Sequence, residues 1–108
     1  MRYLFLLIIF SSCSYNEIDL CSTLTPSFSE CVKPIIEENC VQCHRNNSSN
    51  RLLQTYDQIK FYMDNGELLN RVQRDVDQQG IMPPSGQKLS NNEIQILINW
   101  SENGTPNN

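Results

Sequence analysis

The chain is 108 residues long, enough for one domain, and sets 12 acidic against 8 basic residues for a formal net charge of −4. An acidic balance without a basic cluster argues against nucleic acid as a partner; it is compatible with plain solubility or with docking to a basic protein surface. A core drawn from so few residues is thin, because small domains bury a smaller fraction of their surface, so a buried cofactor would add apolar mass that the chain lacks.

The first element in chain order reads as an export signal. Met1-Arg2 makes a positive start, Tyr3 to Phe10 is an unbroken apolar run of eight residues, and Ser11 and Ser12 precede Cys13. This is the layout of a secretory signal over residues 1–12. Eight residues of helix rise ~12 Å against ~30 Å of bilayer hydrocarbon, too short a run to span it. Phe10-Ser11-Ser12-Cys13 resembles a bacterial lipobox, with phenylalanine where leucine is usual. That resemblance implies cleavage before Cys13 and lipidation of its sulfur; conventional cleavage near Ser12 would instead leave Cys13 a free thiol. Residues 13–27, polar with Ser, Thr and Pro26, read as a tether, and residues 28–108 as the domain.

Within the domain the periodicity is helical throughout, and no strand signal competes. Ser27 or Ser29 caps a first helix running to about Asn39, with Glu30 in its first turn, Pro34 early, and Val32, Ile35 and Ile36 as its apolar stripe. Arg45 to Asn50 is too rich in Asn and Ser for regular structure. Thr55 caps a helix from Tyr56 to about Met63, which Asn65-Gly66 breaks. A third helix starts at Glu67 and runs to about Asp75 with Leu68, Leu69 and Val72 on one face. A loop to Gln87 follows, marked by Gly80, Pro83-Pro84 and Gly86. Ser90-Asn91-Asn92-Glu93 is a capping box; the helix it opens puts Ile94, Leu97, Ile98 and Trp100 mostly on one side and stops at Gly104, before Pro106.

Directly after the first helix stands Cys40-Val41-Gln42-Cys43-His44, a C-x-x-C-H run, and His44 is the single histidine of the chain. This is the attachment pattern of a c-type haem. Two thiols three positions apart can each add across a vinyl group of one porphyrin, and the adjacent histidine can offer a nitrogen to its iron. A structural zinc site would need four ligands, with only His44 and the distant Cys21 and Cys31 left to complete it. A thioredoxin-like pair would need a βαβ context that the sequence lacks. Met82, 38 positions beyond His44, lies in Gly80-Ile81-Met82-Pro83-Pro84. The prolines stiffen that loop, so its thioether can be presented to the other face of a porphyrin as second axial ligand. The alternatives are that Met82 merely packs the loop, or that Met63 takes the place. Histidine–methionine ligation fills both axial positions and raises the iron potential relative to two nitrogen ligands, which makes electron transfer the default use. Of the five cysteines, lipid and haem account for Cys13, Cys40 and Cys43. In an oxidising compartment Cys21 and Cys31 could close a short loop, although spacing alone does not establish the geometry.

The order of helix, Cys40 to His44, two middle helices, Met82-Pro83-Pro84 and a capped last helix with Trp100 resembles a small class I (mono-haem) cytochrome c over roughly residues 28–106. Locally, Asn39-Cys40, Leu53-Gln54-Thr55-Tyr56 and Met82 to Ser90 look like the cytochrome c domains of exported bacterial lipoproteins. The resemblance implies an all-α fold of about four helices around one covalent haem c, with first and last helices crossing beside it and Trp100 near the crossing. It also implies donors for the haem carboxylates, for which Arg45, Arg51 and Lys88 are available. The function expected is single-electron transfer between redox proteins at a membrane surface, in the periplasm or cell envelope, with no enzymatic activity. Two alternatives stay open: a gas- or peroxide-binding protein with a labile methionine, disfavoured for peroxide by the lack of a distal histidine, and a non-catalytic redox subunit of a larger respiratory complex.

Overall fold

The computed structural model describes residues 21–46, 51–84 and 86–108. The expected signal and Cys13 lie outside them. Among the described residues all regular structure is helical: a π-helical turn, Phe28–Val32, running into α1 (Lys33–Asn39), then α2 (Tyr56–Asp64), α3 (Glu67–Val72) and α4 (Asn91–Glu102). None of these helices is long and apolar enough to cross a membrane.

Local chemistry explains where each begins. Ser27 Oγ accepts the N–H of Glu30 at 3.2 Å. The chain then winds widely, Val32 N–H bonding Ser27 O at 3.2 Å, just ahead of Pro34, whose ring crowds the carbonyl four residues back and offers it no N–H. Thr55 with Gln58, and Ser90 with Glu93, each form a reciprocal capping box. Between α2 and α3 the chain turns through Gly66 at φ +79°, a left-handed value at which a side chain would be strained. The third helix ends at Val72, three residues earlier than its apolar pattern suggests. Lys88 Nζ takes the carbonyls of Gln73 (3.4 Å) and Arg74 (2.6 Å), placing a cation on the helix C-terminus where the exposed carbonyls favour it.

The core draws on the π turn and all four α-helices. Val32, Ile36, Ile59, Leu97 and Trp100 are all essentially buried. The buried face of α4 is Ile96, Leu97 and Trp100, with Ile94 and Ile98 only half-buried. Because α4 is packed from two sides, by the π turn and by α3, the covered arc shifts to include Ile96. Trp100 sits against Phe28 (ring centroids 5.8 Å) and Tyr56 (6.2 Å) and donates from Nε1 to Pro106 O at 3.0 Å. The described part of the segment expected as a tether, residues 21–27, is laid along the domain. Cys21 and Cys31 form a disulfide with Cα atoms 5.0 Å apart. Pro26 is buried, and Asn99 and Asn103 of α4 donate to the carbonyls of Thr23 (2.6 Å) and Leu24 (3.1 Å).

Candidate functional site

The end of α1 builds one wall of a cleft. Cys40 N–H closes the helix on Ile36 O at 2.8 Å, and the N–H groups of Cys43 (3.2 Å) and His44 (3.0 Å) both return to Cys40 O. The chain from Cys40 to His44 is thereby wound into one tight turn, and Cys40, Cys43 and His44 all line the same cleft of about 640 Å³. Asn39 locks this turn to α4, donating from Nδ2 to Ile35 O (2.8 Å) and to Glu93 Oε2 (3.2 Å).

The segment after the polar loop returns alongside His44. Leu53 N–H bonds His44 O at 2.9 Å, and His44 Nδ1 lies 2.5 Å from Arg51 O. A carbonyl only accepts, so Nδ1 carries a proton, and in the neutral imidazole Nε2 keeps its lone pair. Arg51 is itself held by an ion pair with Glu67 and lies over the Tyr62 ring, 5.6 Å from its centroid.

The opposite wall is α3 and the loop beyond it. Glu67, Leu68, Arg71 and Val72 line the cleft, the one-turn spacing that a single helix face requires. Met82 lines it from the loop, and Pro83 and Pro84 continue that wall. The backbone of Met82 is tied to α3 through its N–H to Arg71 O at 3.2 Å. Leu53, Leu68 and Val72, buried in the core, give the cleft an aliphatic floor.

The four sequence-derived residues Cys40, Cys43, His44 and Met82 thus meet in one cleft, although Met82 comes from a distant part of the chain. Met63, 2% exposed, belongs to the core. Among the cations considered for carboxylate binding, Arg45 is exposed, Lys88 is turned to the end of α3, and Arg51 lines the cleft. The sequence reading missed Arg71 and Tyr62. Arg71 had a signal, its position four residues after Glu67 and beside Val72 on the face that carries Leu68.

The electrostatics set the two thiols apart. Burial pushes Cys40 up to about 11, and the nearby carboxylate of Glu93 and the thiol of Cys43 add to it. Cys40 therefore stays a neutral thiol at any physiological pH, whereas Cys43 is exposed. With Cys21 and Cys31 in a disulfide, neither is a ligand for a zinc ion at Cys40 and Cys43. Among the described residues no three His, Cys, Asp or Glu side chains are grouped as a metal site. No protein-family model, curated protein or solved structure matches the chain.

Proposed function

We propose that this chain is a mono-haem c-type cytochrome that carries single electrons between redox proteins at a membrane surface. The observation that carries the reading is the convergence of Cys40, Cys43, His44 and Met82 on one cleft. The residues fit the group: two thiols on one turn, an imidazole whose Nδ1–H is already committed to a carbonyl, a thioether, and an aliphatic floor. The volume falls in the range of roughly 300–1,000 Å³ typical of sites that bury a cofactor-sized ligand.

Bound haem supplies a one-electron couple at its iron. The chain's residues do the rest. The sulfurs of Cys40 and Cys43 would hold the group covalently, each S–H adding across one of its vinyl groups. His44 Nε2 and Met82 Sδ would be the donors to its iron, and the Arg51 carbonyl, facing Nδ1, holds the imidazole tautomer and ring orientation. Leu53, Leu68 and Val72 keep water from the buried side. With His44 and Met82 both given to the metal, the chain would leave little opening there for a small molecule, which favours a carrier over an enzyme. Export by residues 1–12 and lipidation of Cys13 would confine it to the periplasmic or cell-envelope face of a membrane.

The test is an optical spectrum, oxidised and reduced, of the chain expressed with haem-maturation machinery. Covalently retained haem, low-spin in both states, with the weak long-wavelength band of sulfur on ferric iron, is the expected outcome. High-spin iron that binds carbon monoxide readily would move the function to gas or peroxide binding, and absence of covalent haem would sink both. Co-purification of further subunits separates a free carrier from a component of a respiratory complex.

A further inference from the structure

One residue holds the Met82 loop at two points, once by its side chain and once by its backbone. Arg71, in the last turn of α3, donates from Nη1 to Gly80 O at 3.2 Å, and its own carbonyl accepts the N–H of Met82 at 3.2 Å. The two bonds fall on either side of Ile81, which is 8% exposed. The span from Gly80 to Met82 is therefore fixed at both ends with its middle side chain in the core. Gly80 admits the guanidinium: its φ is +81°, and a Cβ there would collide with Nη1 of both Arg71 and Arg74. Arg71 is half-buried and lines the cleft, so its bond to Gly80 O is partly shielded from water, where charge-assisted bonds are strongest. Its neighbours hold other parts of the loop. Arg74 donates to Gln79 O (2.8 Å) and Asn70 Oδ1 (2.7 Å), and Lys88 returns to the end of α3.

We propose that Arg71 is a positioning residue for Met82, setting how much of the time the thioether stands at the iron. The inference rests on the haem reading given above; Arg71 acts through the loop backbone. Removing the guanidinium releases Gly80 O and leaves this stretch held by the Met82 N–H bond to Arg71 O, the Ile81 N–H bond to Gln78 O, the Arg74 bond to Gln79 O and the burial of Ile81. The axial position is then open for a larger fraction of molecules, and an external ligand competing for it binds more tightly in the same proportion.

The experiment is Arg71→Met in the full chain matured with haem, which keeps the aliphatic stem and removes every donor. Two quantities are read: the sulfur-to-iron band of the ferric protein and the carbon monoxide affinity of the ferrous protein. The expected result is unchanged covalent haem, loss of most of the band, and carbon monoxide binding tightened roughly tenfold or more, with Arg71→Lys in between. A full-height band and unchanged carbon monoxide affinity in Arg71→Met overturn the proposal, even if the variant melts at lower temperature, because the guanidinium would then only support the fold. If Arg71→Met does not accumulate, Arg71→Lys is read in the same way: a weakened band supports the role and a full one overturns it. A wild-type protein that itself lacks the band overturns the haem–methionine reading, and this inference with it.

Discussion

Met82 and Met63 carry the same thioether in opposite circumstances. Met63 is 2% exposed in the core between α2 and its neighbours, while Met82 lines the cleft. Met63→Ala should cost about 2–5 kcal/mol as a core truncation and, on the haem reading proposed, leave the sulfur-to-iron band intact. On that same reading Met82→Ala should remove the band with little loss of stability. Urea unfolding beside ferric spectra separates the two. The thiols divide in a similar way. With Cys40 pushed up to about 11, about one molecule in a thousand carries its thiolate at pH 8, and the thiolate is the reactive form. In the haem-free chain brief alkylation at that pH should label exposed Cys43 first, with Cys40 reacting roughly a hundredfold more slowly than an ordinary thiol of pKa 9.0. Mass spectrometry of the modified peptides reads the ratio, and equal labelling would mean that Cys40 is not buried there.

At the scale of elements, the helix starts were legible because their chemistry is local. Ser90 reaches only to Glu93, and Thr55 only to Gln58, so three residues of sequence contain the whole argument. Ser90→Ala should cost about 1 kcal/mol, readable as a lowered urea midpoint with unchanged slope. Helix ends were less legible. The apolar spacing of α3 continues past Val72, but Lys88, 14 residues beyond Arg74, claims the next carbonyls. The candidate site divides on the same line. Cys40, Cys43 and His44 are neighbours in sequence and were found there, whereas Arg71 meets Gly80 only through a side-chain bond across a loop. Ile96 was missed because which face of α4 is covered depends on two packing partners.

For the whole molecule, the disulfide between Cys21 and Cys31 and the two asparagine bonds from α4 bring residues 21–27 into the folded unit. A bridge across 10 positions should contribute about 2–3 kcal/mol by restricting the unfolded chain. The Cys21→Ala, Cys31→Ala double variant tests this by urea unfolding, and a midpoint equal to that of the parent would show that the asparagine contacts alone hold the segment. If Cys13 carries lipid, Cys13→Ser should move the protein from the membrane to the soluble fraction of the envelope without altering its spectrum.

The sequence by itself determined the all-helical character, the starts of the helices, and the grouping of two thiols and one imidazole on a single turn. All three depend on residues within a few positions of one another, and such contacts form wherever the chain goes. Tertiary structure alone decided that Met82 would share a cleft with His44, that Arg71 would grip the loop between them, and that residues 21–27 would join the domain. Each of those depends on bringing together segments separated by long stretches of chain, and only the packing of α3 on α4 and of α4 on the first turn brings them into place.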